Sequence, residues 1–270
     1  MNYLINKEIN IEIFNSFERR LKTKWNAIEK ESDCYPFQTF NWLNHWYKTI
    51  GEKSYNIQLY IYVVSLKENI NALFPFGVVN RSGILILEWL GGIHNDYNAP
   101  LINNKWINFD KDFINIWNLI SQHLPEHDIK HFIRQPQMIG KVCNPFVTQL
   151  NSSAYLNAYN LNLSGTWENF SKNQLRKKIR LDSNRQLRRL KDIGQVKFIV
   201  ATNRAEAKTI IDAMIKQKIQ KSEANNEWDM LTLVENKNFY FQLPEITSNN
   251  LFIHCSCLML DNIILSTHIG

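Results

Sequence analysis

The sequence is poor in glycine, with nine in 270 residues. None falls into GxGxxG or GxxxxGK[ST], which excludes a dinucleotide fingerprint and a P-loop. Cysteine is scarce as well. The four cysteines, at 34, 143, 255 and 257, have no CxxC spacing. That argues against a zinc or redox pair and for reduced thiols in a cytoplasmic protein. Cys255 and Cys257, two apart, would share one face of a strand. No apolar run approaches the ~20 residues of a membrane helix, so no membrane partner is expected. The first residues carry two acids by position 12 and no small-residue cleavage site, which does not make a secretory signal. HExxH, GxSxG and a Cys-His signature are all missing. His123, His127 and His131 recur every four residues, but Pro125 separates the first two, so no metal site is expected.

What is present supports folded cores: 44% of the residues are apolar and 21% charged. The length fits one large domain or two ordinary ones. Eight tryptophans sit mostly in apolar-periodic segments, which favours packing over sugar stacking for at least five of them. The positive charge is local. Between Lys172 and Lys191 nine basic residues face one acid, Asp182, so this segment carries +8 and the other 250 residues sum to −2. Ser171-x-x-Gln174 resembles a capping box and Gly194 a helix stop, which predicts a single helix. Leu175, Ile179, Leu187, Leu190 and Ile193 would form a narrow apolar stripe against the protein. Arg185, Arg188 and Arg189 would share the opposite side. That surface is either a solvated helix face or a seat for the phosphates or carboxylates of an anionic partner. Aromatics do not interleave with the charges, which weakens the case for nucleic acid.

Along the chain, helices are predicted over 13–30, from about 36 to 50, and over 109–124. Strands are predicted at 58–65, 70–79, 84–90, 97–102 and 129–134. After Leu150 the pattern restarts with a short strand at 161–163, the basic helix, and a strand at 196–201. A helix opened by Asn203 follows, then a short helix over 238–246 and a hairpin turning at Asp261-Asn262. The two hairpins align at an offset of 193, with Asn69 on Asn262 and Gly77 on Gly270. The first copy continues into a strand and a helix, and the second does not. The second unit is therefore expected to be incomplete, with a downstream-encoded fragment as a partner completing the fold.

Several segments together resemble a known family: FQTFNWLNHWYKTIGE, LFPFGVV, LEWLGGIHNDYNAPLI, the NPF at 144–146, and TWENFSKNQLRKKIRLDSNRQLRRLKDIGQVKF. They are similar to the CelD/BcsL-like branch of the GNAT acetyltransferase superfamily, which is related to the FemAB-type aminoacyltransferases. The resemblance runs from about residue 25 to 270. It implies an α/β chain of two GNAT-like units, with mixed, mainly antiparallel sheets flanked by helices. Residues 1–155 would form the first and 156–270 the second, truncated after its third strand.

The same resemblance implies transfer of an acyl group from acyl-CoA, such as acetyl-CoA, to an amine or hydroxyl of a saccharide or small metabolite. Asp96 and Tyr97, before Pro100-Leu101, match an Asp-Tyr pair of the family. Asp96 would hold an amine or act as a base, and Tyr97 would donate a proton. A loop Asp bonding backbone amides and a packed Tyr would give the same letters. Asn144, before Pro145, matches an Asn-Pro pair that shapes a cleft or simply makes a turn. Arg176, Arg180, Arg188 and Arg189 match a basic helix and, with Arg185, are the candidates for an anionic substrate or coenzyme. Tyr240 after Phe239 matches an aromatic pair near the second unit's sheet, expected to pack in the core. GNAT folds seat the coenzyme pyrophosphate at a helix start after the fourth strand, and the second unit lacks that strand, so catalysis is in doubt. Two other readings stand beside this one: a non-catalytic, anion-binding module built on residues 172–191, and a FemAB-like aminoacyltransferase.

Overall fold

Ile9, Ile11 and Ile13 alternate with polar residues and form a strand that was not predicted, its last two residues overlapping the start of the helix expected over 13–30. The computed structural model describes residues 9–67, 69–106, 108–150, 157, 161, 165–248 and 251–270. Strand β1 (Ile9–Phe14) pairs antiparallel with β2 (Gln58–Leu66), Ile9 opposite Leu66 and Phe14 opposite Ile61. A period of two settles on strand once a partner edge is available. Helix α1 (Arg19–Glu29) buries Leu21, Trp25 and Ile28 at spacings of four and three. A 3-10 turn, Pro36–Gln38, leads into α2 (Phe40–Trp46), whose cap Thr39 accepts from the Trp42 amide.

Strands β2 and β3 (Asn69–Arg81) form the predicted hairpin, and β4 (Ile84–Trp89) adds antiparallel to β3. The short β5 (Leu101–Ile102) pairs with the start of β3. Helix α3 (Phe109–Ser121) then carries the chain to β6 (Ile129–His131), which lies parallel to β4. The predicted strand over 129–134 is thus only three residues long. A small hairpin of β7 (Met138–Ile139) and β8 (Val142–Cys143) precedes α4 (Pro145–Thr148).

The six-stranded sheet and α3 enclose an aromatic core. Phe76 lies 4.5 Å from Trp89, 5.0 Å from Phe132 and 6.2 Å from Trp117, centroid to centroid. Six tryptophans are buried, as packing predicts, whereas Trp167 and Trp228 are 66% and 71% exposed.

The chain divides into two compact units, but not as two consecutive halves. The first comprises Met1–Ser152 and Met230–Phe252; the second, Ser153–Asp229 and Ile253–Gly270. The first cut falls close to the expected 155/156 boundary, whereas residues 230–252 belong with the first unit. They form a 3-10 turn (Met230–Thr232) and α8 (Val234–Gln242). His45 on α2 donates from Nε2 to the Phe239 carbonyl at 2.9 Å. His94 donates from Nε2 to Asn236 Oδ1 at 2.7 Å and accepts at Nδ1 from Trp46 Nε1. Burial pushes the pKa of both histidines down, in keeping with neutral rings whose Nε2 carries the proton. Phe239 is fully buried and Tyr240 half-buried, but in the first unit and not at the second unit's sheet, where the pair was expected.

The second unit holds α5 (Trp167–Asn173), α6 (Lys177–Ile193), β9 (Val196–Val200), α7 (Arg204–Asn225), β10 (Cys255–Leu260) and β11 (Ile263–Ile269). Its sheet is antiparallel, in the order β11-β10-β9. The single basic helix predicted from Ser171 is two helices. Thr166 caps α5, the chain turns at 174–176, and Arg180 Nη1 donates back to the Ser171 and Lys172 carbonyls. Gly194 ends α6, as predicted.

The expected packing of the α6 stripe is corrected: no residue of α6 is buried. The apolar face of the small sheet is taken by α7, which buries Ala207, Ile210, Ile211 and Ile215 and donates from Gln217 to the Ile264 carbonyl. Cys255 and Cys257 lie buried on that one face. Asn203 caps α7 by accepting from the Glu206 amide, as its position predicts. The helix then runs to Asn225 and stops at Asn226 with φ 54°. The strand predicted at 161–163 lies outside the described residues, apart from Leu161.

The internal repeat is present, but one residue out from the predicted register. Turn Pro36–Gln38 and helix α2 recur as Met230–Thr232 and α8, 194 positions later. The same spacing relates the ends of β2 and β10, the positive-φ turn residues Lys67 and Asp261, and the starts of β3 and β11. It also relates the bulges at Val64/Ser65 and Leu258/Met259. The left-handed turn residue fixes the register of each hairpin, which sets the offset at 194 in place of 193. With β1 and α1 answered by β9 and α7, the order strand, helix, helix, strand, strand occurs twice.

Candidate functional site

The stretch Glu88–Asn98 builds the most distinctive surface of the first unit. Strand β4 ends in a turn through Gly91 (φ 105°) and Gly92 (φ 54°), conformations that favour glycine. A Cβ on Gly91 would lie 2.1 Å from Asn95 Nδ2. That closeness lets the buried Asn95 work as a strut: Nδ2 donates to the Leu90 carbonyl and to Asn98 Oδ1, and Oδ1 accepts from Trp42 Nε1 at 2.7 Å. From the other side Arg134 donates to the Ile93 and Asn95 carbonyls. The Asn98 amide returns a bond to the Arg134 carbonyl at 2.9 Å. The loop is therefore fixed at both ends. Asp96 is exposed at its tip, with no hydrogen-bond partner among the described residues. Tyr97 is half-buried and stacks on Tyr35 at 4.8 Å.

Beneath this loop lies a small, partly open pocket of about 20 Å³, room for little more than one water molecule, lined by Glu88, Trp89, Gly92, Asn98, His131 and Ile133. Its position follows from the strand pairing. Strands β4 and β6 run parallel for three residue pairs, the last being Glu88 opposite His131, and then stop pairing. Glu88 is 7% exposed. Arg81 Nη2 donates to both of its oxygens at 2.9 Å, and His131 Nδ1 lies 4.0 Å away. Burial pushes the Glu88 carboxyl above its usual range, against the pull of Arg81 and, more weakly, His131. A buried carboxylate of raised basicity at a pocket wall is suited to taking a proton from a bound group. Neither Glu88 nor His131 was a predicted site residue. The signal for Glu88 was a single acid inside the apolar run ILILEWL; His131 carries none until β6 is set beside β4.

The other predicted residues fall elsewhere. Asn144 is fully buried, and its amide is used within the fold. Oδ1 caps α4 by accepting from the Phe146 amide, and Nδ2 donates to the Pro136 carbonyl at 2.9 Å. Arg176, Arg180, Arg185, Arg188 and Arg189 belong to the second unit. Arg180 closes α5, Arg185 pairs with Asp182 and Arg188 Nε donates to the Asn184 carbonyl. Arg176 and Arg189 have no ion-pair partner among the described residues.

The three histidines do not gather. His127 Nδ1 donates to the Pro125 carbonyl, the His123 carbonyl accepts from Tyr62 and His131 faces Glu88. Among the described residues no three His, Cys, Asp or Glu side chains are placed to hold a metal. All four cysteines are free thiols. Burial, with the charges of Glu29 and Asp33, pushes Cys34 up to about 11, which makes it a poor nucleophile. Among the described residues no helix is long and apolar enough to cross a membrane. No family model, curated protein or solved structure matches the chain.

Proposed function

We propose that the chain is an acyltransferase of GNAT-like construction. It would move an acyl group from acyl-CoA to an amine or hydroxyl of a saccharide or small metabolite, with only the reacting amine or hydroxyl reaching the pocket beside Glu88. The observation that carries this reading is the parallel β4–β6 pair, which parts just beyond Glu88 and His131. Where paired strands separate, unpaired backbone groups and a side-chain-lined gap become available to a ligand. The repeated order of strand, helix, helix, strand, strand supports the two-unit reading. In the step itself, the acceptor lone pair attacks the thioester carbonyl, a C–N or C–O bond forms, and the C–S bond breaks to release the thiolate. Glu88 takes the acceptor proton, and the thiolate is protonated from solvent. Asp96 and Tyr97, on the fixed loop above, would meet the part of the acceptor that projects from the pocket.

The test is thiol release from acetyl-CoA by the purified chain, run against a panel of amines, amino sugars and polyols, together with calorimetric titration of acetyl-CoA. Acceptor-dependent release, lowered about 10²- to 10³-fold in kcat/KM by Glu88→Gln, is the expected result. Neither binding nor release with any acceptor would end the reading.

A further inference from the structure

Helix α6 shows water a combination of side chains that a soluble helix normally divides between core and solvent. At 100° per residue, Ile179, Leu187, Leu190 and Ile193 fall within an arc of about 120°. Ile179 is 53%, Leu187 38% and Ile193 70% exposed, Leu190 is half-buried, and Ser183 and Gln186 share the same arc. Around the rest of the helix stand Lys177, Lys178, Arg180, Arg185, Arg188, Arg189 and Lys191, with Asp182 and Asp192 as the acids and Leu181 among the cations. Single exposed leucines need no explanation, but an aligned row beside a cationic face does. At the near end α5 adds Trp167, 66% exposed and stacked on Phe170 at 5.7 Å.

We propose that α5–α6 docks on the surface of a bilayer rich in anionic lipid. The Ile179–Ile193 row and Trp167 would enter the boundary between headgroups and acyl chains, and the arginines and lysines would lie on the lipid phosphates. Charge complementarity commits the surface to an anion, and the apolar row selects lipid among anions. RNA or an acidic glycan would engage the cations and leave the leucines in water, whereas a membrane interface takes up both faces of one helix. An indole at the helix end suits the same interface, which is where tryptophan concentrates in membrane proteins. The helix is a surface binder, since it is far too polar to span. This inference is independent of acyl transfer: it uses no residue of the Glu88 pocket.

The test is flotation of the full chain with phosphatidylcholine vesicles, with and without about 30% phosphatidylglycerol. Binding is expected only with the anionic lipid. Arg188→Gln/Arg189→Gln/Lys191→Gln should weaken it roughly 100-fold, at about fivefold per cation. Leu187→Ser/Leu190→Ser/Ile193→Ser should weaken it at least as much, with circular dichroism confirming that both variants remain helical. A further readout needs no stripe variant: lipid-borne quencher should dim the wild type more than Trp167→Phe. Absence of flotation at low salt would overturn the proposal. So would flotation undiminished in the serine variant, or equal quenching of wild type and Trp167→Phe. Tighter binding to a single-stranded RNA oligonucleotide, indifferent to the serine substitutions, would also overturn it and assign the surface to nucleic acid.

Discussion

His45 and Phe239 stack with ring centroids 5.0 Å apart and planes 22° from parallel. Each is the sixth residue of its helix, α2 and α8, so equivalent positions of the internal repeat meet each other. The Nε2–H of His45 also closes on the Phe239 carbonyl. A charged imidazolium could still donate that bond, so its neutrality is owed to burial.

That burial sets a pH dependence. His45 and His94 have folded pKa values below the ordinary 6.5, so the unfolded chain binds more protons as pH falls through that value. Their contribution to stability is full above about 6.5 and declines below it, toward the folded pKa. Glu245 and Lys48 act on His45 with opposite signs, and Arg134 adds to the depression at His94. We expect the thermal midpoint to fall between pH 7 and 5, and His45→Gln/His94→Gln to flatten that slope. Asn236→Asp, which puts a carboxylate on His94 Nε2, should reduce the slope by raising the His94 pKa. A midpoint with the same pH profile in all three proteins would refute the assignment.

Gly91→Ala should destabilise the first unit by about 2–4 kcal/mol, because a side chain at φ 105° is strained and the new Cβ collides with Asn95. The collision breaks the Asn95 bond to Trp42, so urea unfolding followed by tryptophan fluorescence should show both a lower midpoint and a changed native baseline. An unchanged midpoint would mean that the loop has room to shift.

Asn144 separates a structural role from a binding one. Asn144→Ala removes the α4 cap and leaves the Pro136 carbonyl short of a donor, a loss of about 1–3 kcal/mol. With substrate saturating and the temperature low, its KM should equal that of the wild type. A KM rise without loss of stability would return Asn144 to the binding residues.

Arg81 holds the Glu88 carboxylate down against the effect of burial. Arg81→Ala should therefore raise the Glu88 pKa and move the acid limb of kcat/KM for acyl transfer to higher pH. A limb that stays in place while the maximum rate drops would show that Arg81 acts on packing and that another group takes the proton.

Legibility followed the range of the interactions. The hairpins, α3, the Asn203 cap and the Gly194 stop rest on contacts within a few residues, and their sequence signals held. β1 was missed because the helical pattern was read from Ile13, near its end, and only the edge of β2 selects strand. The basic segment looked like one amphipathic helix because the chain's turn at 174–176 depends on Arg180 reaching back to carbonyls of α5. Of the candidate site the sequence pointed only to Asp96 and Tyr97, on the loop above the pocket and not in its lining. The pocket itself was not legible, since Glu88 and His131 lie 43 residues apart and meet through strand register alone.

The amino-acid sequence by itself determined the α/β alternation, the doubled hairpin and the concentration of positive charge between residues 172 and 191, all of which are periodicity or composition. Tertiary structure decided that residues 230–252 pack with the first unit, that no residue of α6 is buried, and that a lone strand glutamate becomes a buried carboxylate beside a histidine. Those outcomes depend on which surfaces are left to bury and which strands end up adjacent, and neither is encoded in any one segment.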